Sequence, residues 1–441
     1  MNTARLYHLI RYRSESKLFR FLQKSQYWDR KAIRLFQFEK LKKLIAHSYN
    51  CVPYYRRLFD KIGMVPDDIR SLDDFEQIPV LTKELIREFQ EDLIASDAMK
   101  HELQPNATGG STGQPLSFFQ DRQYLLWANA ARYRGWYDLA DCQIGTRCAV
   151  LWGAMRDVRT DYSIRERIRG VLQTGEICLN AFNLSDERKE SFRRWCSWLR
   201  PRILRGYVTA VEEFARYISQ SGRSFPQLKG IILCAETVTP ESQKLIENVF
   251  NTTSFNTYGG RENSLMAMEC KFKNGLHEVS ENNYLEFEPI QLPGYETVGN
   301  VIVTNLNNYC MPFIRYRIGD LGIPSSRQEC ECGRGLPLIS KIIGRTTDVF
   351  EFRDGTKIAG EMFIHLMKDL PILEYQFVQV SDVKVVLRLQ DILASDSELL
   401  SKIREAYEKY LPRDVKLEIQ SVDKFERTPT GKFRFVYRNI S

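Results

Sequence analysis

The strongest constraint on the fold is an alternation of short apolar runs with helical segments between residues 124 and 258. The apolar runs have the length and residue types of buried strands, and helical periodicity separates them. The predicted strands are Cys148–Trp152, Ile203–Leu204, Ile231–Cys234 and Ser254–Tyr258, and the predicted helices are Tyr124–Tyr137, Val211–Ser219 and Pro240–Phe250. Strands that alternate with helices favour a largely parallel sheet covered by helices, so the sequence predicts an α/β fold.

The pattern changes towards the C-terminus. From about Tyr284, short strands with turns between them replace the alternation, which indicates a small β-rich subdomain. The last ~95 residues carry strand and helix signals of their own. A chain of 441 residues exceeds the usual size of one domain. We therefore predict a large N-terminal domain of residues 1–344 and a small α+β C-terminal domain of residues 345–441.

Composition narrows the class of protein. Hydrophobic residues make up 43% and charged residues 27% of the chain, as in globular proteins. The net charge of +7 is modest for this length and does not indicate a nucleic-acid partner. No apolar run approaches the ~20 residues of a membrane-spanning helix. Ten cysteines without a secretory leader predict reduced thiols and a cytoplasmic location.

The first 50 residues are rich in Lys and Arg and show helical periodicity. Their apolar stripe consists of Ile33, Phe36, Phe38, Leu41, Leu44 and Ile45, with Lys40, Lys42 and Lys43 mostly off it. A basic amphipathic helix either lies on an anionic membrane or, more commonly, forms an outer face with its stripe in the core. We expect the second arrangement, with the lysines in solvent and no peripheral membrane contact.

Glycines and hydroxyl side chains crowd into Ala107–Pro115. Glycine lets a loop close tightly and bring its N–H groups to an anion such as phosphate, and hydroxyls add donors. The stretch lacks the Lys-Ser/Thr pair of the Walker P-loop and the glycine spacing of the dinucleotide fingerprint. By itself it fits either a phosphate-binding loop or a flexible hairpin loop.

Three further stretches carry side chains suited to nucleotide chemistry. Asn256–Glu262 follows a predicted strand end, where a parallel sheet forms its ligand crevice. Its aromatic ring, glycine turn, cation and carboxylate could stack a base, approach a phosphate and hold a metal. The Asp320 carboxylate can accept two ribose hydroxyls, and Lys432 can present a charge to a developing oxyanion. Each stretch taken alone also fits an ordinary surface turn.

Four residues could bind a metal. Cys330 and Cys332 form a close pair, and Cys270 and His277 could add two ligands from a neighbouring loop. Thiolates with an imidazole in a four-ligand set favour structural zinc, although the spacing differs from the standard zinc-finger patterns. The alternative is a set of reduced thiols near a surface turn. We favour zinc because all four residues fall within one predicted subdomain.

Together, and in this order, these stretches resemble the adenylate-forming acyl ligase superfamily. The resemblance is greatest to its branch of phenylacetate–CoA ligases and CapK-like polysaccharide-biosynthesis proteins. It covers nearly the whole chain and includes the early segments Val52–Tyr55 and Ile78–Lys83. The resemblance implies a mobile C-terminal domain, with ATP and Mg²⁺ as cofactors. Cys270, His277, Cys330 and Cys332 match zinc-binding positions of the same branch.

The resemblance also implies a role for each motif residue. The phosphates would be gripped by Thr108, Gly109, Gly110, Ser111, Thr112 and Gly113, and the adenine surrounded by Ala235, Glu236, Thr237, Asn256, Thr257, Tyr258 and Gly259. Asp320 would take the ribose hydroxyls, and Arg345 would also contact the nucleotide. Glu262 would hold magnesium. A threonine or serine usually precedes this glutamate; Arg261 stands here instead and could reach the α-phosphate. Lys432 would stabilise the charge that builds as the carboxylate attacks.

The chain departs from the superfamily at two informative positions. Leu116 follows Pro115 where many members have a lysine, and Thr347 takes the place of the usual hinge aspartate, with Asp348 beside it.

The resemblance implies activation of a small carboxylic acid as its acyl adenylate, followed by transfer to a thiol such as CoA or to an amine. A role in surface-polysaccharide or specialised-metabolite biosynthesis is one reading. Transfer of AMP itself and a non-catalytic nucleotide-binding scaffold are the alternatives.

Overall fold

The computed structural model describes residues 13–108, 116–142, 146–152, 171, 175–181, 184–367, 370, 372, 374–390, 397–408, 411–427 and 433–440. Its α-helices are Arg13–Ser25, Arg30–Cys51, Pro53–Ile62, Leu72–Phe75, Lys83–Glu88, Arg122–Leu139, Asp186–Leu199, Val208–Ser221, Pro240–Phe250, Gly360–Met367 and Ser397–Glu408. Short 3₁₀ helices occur at Pro66–Asp68, Ala98–His101 and Thr346–Asp348. None of the helices in these ranges is long and apolar enough to cross a membrane.

The strands are numbered in chain order. They are β1 Gln104–Ala107, β2 Ser117–Gln120, β3 Cys148–Trp152, β4 Glu176–Asn180, β5 Ile203–Tyr207, β6 Gly230–Cys234, β7 Ser254–Gly260, β8 Ser264–Glu269, β9 Leu276–Glu278, β10 Asn283–Pro289, β11 Gly299–Asn305, β12 Tyr316–Pro324, β13 Leu338–Arg345, β14 Val349–Glu351, β15 Lys357–Ala359, β16 Gln376–Ser381, β17 Lys384–Gln390, β18 Lys416–Val422 and β19 Val436–Arg438. The largest sheet has the order β10-β11-β12-β13-β9-β8-β7-β6-β5-β3-β4.

The chain divides into two compact units. The first comprises Met1–Glu286, Ile302–Ile318 and Ser325–Lys341, and the second comprises Phe287–Val301, Gly319–Pro324 and Ile342–Ser441. The segments Phe287–Val301 and Gly319–Pro324 thus belong to the second unit together with the C-terminal residues. The boundary at residues 344/345 remains a proposal about which part of the chain moves.

The parallel sheet predicted from the alternation is confirmed. Strands β4, β3, β5, β6 and β7 pair in parallel, and the helices Val208–Ser221 and Pro240–Phe250 cover one of their faces. The helix Arg122–Leu139 contributes to the apolar cluster on the other face. Since both faces are covered, the middle strands are almost continuously apolar, as Cys148–Trp152 already shows in the sequence.

The residues at which two of the helices begin or end are explained by capping hydrogen bonds and by proline. The hydroxyl of Thr239 accepts the Ser242 N–H at 3.1 Å before the helix Pro240–Phe250, which ends at Asn251 in a left-handed conformation. The helix Arg30–Cys51 ends just before Pro53, because a proline disfavours helical backbone in the residue preceding it. The bounds of the helix Pro240–Phe250 agree with the sequence prediction.

Lys40 departs from the predicted solvent face of that helix. The expected stripe residues Ile33, Leu41, Leu44 and Ile45 are buried, but the Lys40 ammonium also turns inwards. It donates to the Glu281 carbonyl oxygen at 2.9 Å and lies 3.7 Å from the centre of the Trp127 ring. Burial lowers the pKa of Lys40 to about 7, although the Glu281 carboxylate opposes that shift. The prediction of a solvated lysine was therefore wrong at this position.

Lys40→Met should flatten the pH dependence of stability. A lysine with a pKa of about 7 in the folded chain and 10.5 when unfolded binds fewer protons in the folded state between those pH values. The wild type should therefore gain stability relative to Lys40→Met as the pH rises above 7, by on the order of 1–3 kcal/mol at about pH 9.5. Urea unfolding across this range measures the difference. Lys42→Met, at an exposed ion pair with Glu39, is the control, and parallel profiles for wild type and Lys40→Met would contradict the prediction.

The second unit has its own core. Its sheet has the order β18-β17-β16-β19, with β16 antiparallel to β17 and the outer pairs parallel. Aromatic side chains fill the space between this sheet and the helices Gly360–Met367 and Ser397–Glu408; the rings of Phe363 and Phe377 lie 5.1 Å apart. The small α+β pattern predicted for the C-terminus is confirmed.

Candidate active site

The paired strands β1 and β2, here called the hairpin, flank the glycine-rich stretch. Strands β1 and β2 are antiparallel, with Ala107 opposite Ser117. The Thr108 N–H donates to the Leu116 carbonyl at 2.9 Å, and the Leu116 N–H donates to the Thr108 hydroxyl at 2.8 Å. These two bonds bring the ends of the loop together. The predicted phosphate-binding residues Gly109, Gly110, Ser111, Thr112 and Gly113 lie outside the described residues.

The base of this hairpin contacts the motif that contains Arg261 and Glu262. Gln120, the last residue of β2, donates its amide to the Arg261 carbonyl oxygen at 2.8 Å. Its amide oxygen accepts from Asn106 on β1 at 2.9 Å, and Arg261 donates to the Asn106 amide oxygen at 3.4 Å. Two motifs that are about 150 residues apart in the sequence are thus joined by side-chain amides.

Gln120 and Asn106 were missed by sequence reasoning. No motif marks them, and their only signal is their position on the two strands that flank the loop. Tyr124 adds a third contact, because its hydroxyl lies 3.2 Å from the same Arg261 carbonyl oxygen. Burial raises the pKa of this phenol, so the hydroxyl is protonated and acts as the donor.

The turn around Glu262 requires glycine at one position. A side chain at Gly259 would place its Cβ 2.3 Å from the Ser264 carbonyl oxygen, so only glycine lets β7 and β8 approach this closely. The half-buried Glu262 carboxylate lies 3.4 Å from the Tyr316 hydroxyl at the start of β12. A carboxylate oxygen beside the loop base is the kind of ligand that Mg²⁺ prefers.

The N-terminal segments singled out by the resemblance support this strand. Leu81 forms a parallel bridge with Tyr316, with its N–H bonded to the Arg315 carbonyl at 2.9 Å. The Tyr55 hydroxyl donates to the Pro312 carbonyl and accepts the Ile314 N–H, at 3.0 and 2.9 Å. Both early segments therefore position the residues that lead to Tyr316.

The predicted adenine residues follow two neighbouring parallel strands. Cys234 at the end of β6 pairs with Thr257 on β7, so Ala235 and Tyr258 follow at the same edge of the sheet. This is the edge at which parallel sheets bind ligands. Ala235 has a positive φ of 65°, an uncommon conformation for a residue with a side chain. The exposed Thr237 and half-buried Asn256 complete the edge.

Two of these side chains form hydrogen bonds within the protein. The Glu236 carboxylate accepts the Thr209 N–H at 2.8 Å, at the start of the helix Val208–Ser221. The hydroxyl of Thr257 donates to the Leu233 carbonyl at 2.8 Å. Both residues therefore shape the strand ends, and contacts to a base at these positions would come from the backbone.

Asp320 and Arg345 form an ion pair in the second unit. The Arg345 Nε lies 2.9 Å from Asp320 Oδ1, and the aspartate side chain is only 10% exposed. A little further on, Asp348 accepts the Arg345 N–H at 3.2 Å and pairs with Arg434 at 2.5 Å. Thus Asp348, next to Thr347, connects the start of the 3₁₀ turn where the hinge was predicted to Arg434 near the C-terminus.

The four predicted zinc ligands converge. Cys270, His277, Cys330 and Cys332 place their ligand atoms within 4.8 Å of one another. The two sulfurs of Cys270 and Cys330 are 3.6 Å apart, and Cys332 Sγ is 3.2 Å from His277 Nε2. Tetrahedral zinc with bonds of 2.0–2.3 Å needs ligand separations of about 3.3–3.8 Å. The set therefore fits a zinc ion.

Comparison with known proteins agrees with this fold. Residues 350–439 match the family model of the CapK C-terminal domain. The chain is 24% identical to the protein CapK of Staphylococcus aureus, over 91% of this chain and 89% of CapK. It is 23% identical to the phenylacetate-coenzyme A ligase of Thermus thermophilus, over 88% of this chain and 85% of the ligase.

A solved structure shows the same fold. A 2-hydroxyisobutyryl-CoA ligase in the postadenylation state, in complex with 2-HIB-AMP, matches with a TM-score of 0.69 and 19% identity, over 91% of this chain and 89% of that chain. The fold is therefore that of the adenylate-forming acyl-CoA ligases. Over most of its length the chain resembles the branch of that superfamily that contains phenylacetate–CoA ligases and CapK.

Proposed function

We propose that this enzyme activates a small carboxylic acid with ATP and then transfers the acyl group to a thiol or an amine. The observation that carries the proposal is the hydrogen-bonded junction of Asn106, Gln120 and Arg261. It holds the base of the glycine-rich loop next to Arg261 and Glu262. The CoA-ligase names of the relatives favour CoA as the acceptor.

The proposed chemistry is an in-line displacement at the α-phosphorus of ATP. A carboxylate oxygen of the acid forms the new P–O bond, and the bond to the β-phosphate breaks to release pyrophosphate. In this scheme the loop amides and Arg261 bind the phosphate charge, while Glu262 is the candidate ligand for Mg²⁺, which would neutralise phosphate oxygens. The acceptor thiol or amine then attacks the acyl carbon, and AMP leaves.

We further propose that residues 345–441 carry Lys432 to this reaction. Arg427 and Phe433, which flank residues 428–432 in the sequence, form an antiparallel β-bridge, and Phe433 is buried. Lys432 itself lies outside the described residues, but its neighbour is therefore anchored in the fold. The Asp348–Arg434 ion pair connects the residue after Phe433 to the predicted hinge.

Acid-dependent exchange of labelled pyrophosphate into ATP tests the proposal. The enzyme is assayed with a panel of aryl, fatty, hydroxy and amino acids, because exchange requires a reversible acyl-adenylate step. At least one acid should support exchange, and product mass should show an acyl group on the acceptor. A product that retains AMP would instead indicate AMP transfer, and ATP binding without exchange for any acid would favour the scaffold.

Asp320→Asn should weaken ATP binding. A carboxylate accepts two ribose hydroxyls through charge-assisted hydrogen bonds, and a neutral amide binds them more weakly. We expect the KM for ATP to rise about 10–100-fold, from a loss of roughly 1.5–3 kcal/mol, with a smaller change in kcat. Steady-state kinetics measure this. Asp382→Asn, at the exposed ion pair with Arg353, is the matched control, and an unchanged KM for ATP would remove Asp320 from the nucleotide site.

A further inference from the structure

A second group of potential metal ligands lies in the first unit, outside the site described above. His47 and Cys51 are four residues apart on the helix Arg30–Cys51, so their side chains lie on the same face. Asp97 reaches them from the segment that precedes β1. The ligand atoms of His47, Cys51 and Asp97 all lie within 4.8 Å of one another.

Backbone hydrogen bonds hold the two segments together. The Ser96 N–H donates to the Cys51 carbonyl at 2.7 Å, directly beside Asp97. The Ala95 N–H donates to the Cys310 carbonyl at 2.9 Å, and the Tyr54 N–H to the Asp92 carbonyl at 3.0 Å. Backbone hydrogen bonds therefore hold the segment that carries Asp97 against the end of the helix that carries His47 and Cys51.

The imidazole of His47 is held in place beside Tyr309. Its Nε2 lies 3.0 Å from the Tyr309 carbonyl oxygen, and the two rings pack edge to face at 5.1 Å. The same nitrogen lies 3.8 Å from Asp97 Oδ1. Neighbouring carbonyls commonly fix the ring orientation of metal-binding histidines.

We propose that His47, Cys51 and Asp97 bind a divalent cation of the zinc type. Imidazole, thiolate and carboxylate are the protein ligands that zinc uses, and three of them leave one position for water. The side chains of His47 and Asp97 are 15% and 25% exposed, so an ion can reach them from solvent. Binding would displace the Cys51 thiol proton to solvent and connect the end of the helix to the segment before β1.

Metal content of purified variants tests this site without measuring activity. After saturation with Zn²⁺ and gel filtration, the wild type should hold about two zinc ions per chain, one here and one at the Cys270–Cys332 cluster. Cys51→Ser and Asp97→Asn should each lose about one zinc, as should the double variant Cys270→Ser/Cys330→Ser. Cys142→Ser, a partly buried cysteine outside both groups, is the control and should retain the wild-type content.

Cobalt separates the two sites spectroscopically. In the Cys270→Ser/Cys330→Ser background, added Co²⁺ should give a near-ultraviolet thiolate-to-cobalt band that disappears with Cys51→Ser. This readout stays valid whether or not the enzyme activates an acid. The proposal is overturned if the band is absent in that background, or if zinc content is the same in wild type, Cys51→Ser and Asp97→Asn.

Discussion

Lys432→Ala is expected to lower kcat for acid-dependent adenylation by about 10²–10³-fold while the affinity for ATP changes little. The physical reason is that negative charge moves during the displacement at the α-phosphorus. An ammonium positioned at that charge is worth more in the transition state than in the ground state, so its loss lowers kcat and not binding. Rapid-quench measurement of acyl-adenylate formation, with a separate binding assay for ATP, gives the two quantities independently.

The control for this variant is a nearby lysine with no proposed role. Lys424 is exposed in the same C-terminal region, and Lys424→Ala should keep wild-type adenylation. Equal loss in both variants would indicate a general electrostatic effect of positive charge in this region. Adenylation at the wild-type rate in Lys432→Ala would exclude Lys432 from the mechanism, whatever happens in later acyl transfer.

Cys330→Ser is expected to lose about one zinc ion per chain and to lower the melting temperature by roughly 5 °C or more. Cys330 is buried among Cys270, Cys332 and Leu338, so the other ligands would be left beside an incomplete site. Metal binding to a folded site stabilises the fold by its own binding free energy, and removing one ligand forfeits most of it. Elemental analysis and thermal unfolding of zinc-loaded protein measure both effects.

Two comparisons make the zinc prediction specific. Cys142→Ser should keep both the metal and the melting temperature, because that thiol lies outside the cluster and donates to the Ala140 carbonyl, which a hydroxyl can also reach. Chelator treatment of the wild type should lower its melting temperature towards that of Cys330→Ser. Freshly prepared wild type without zinc, and with a melting temperature unaffected by chelator, would instead support a cluster of reduced thiols.

Much of the fold could be predicted from the sequence because its signals are local. The strand Cys148–Trp152 and the helix Pro240–Phe250 appear with the predicted bounds, since apolar runs and helix caps act over a few residues. The small C-terminal pattern was predicted for the same reason. The inward orientation of the Lys40 ammonium could not be predicted, because it depends on the packing of Trp127 and Glu281 against the helix.

The sequence alone determined the order of the motifs and the chemistry that each side chain can perform. From that order came the resemblance to adenylate-forming ligases. The expectation that Cys270, His277, Cys330 and Cys332 act together came from their ligand types and their place in one predicted subdomain. Only the tertiary structure brought Gln120 to Arg261, and His47 and Cys51 to Asp97. These contacts join residues far apart in the chain, and their geometry depends on how whole strands and helices pack, which no local pattern encodes.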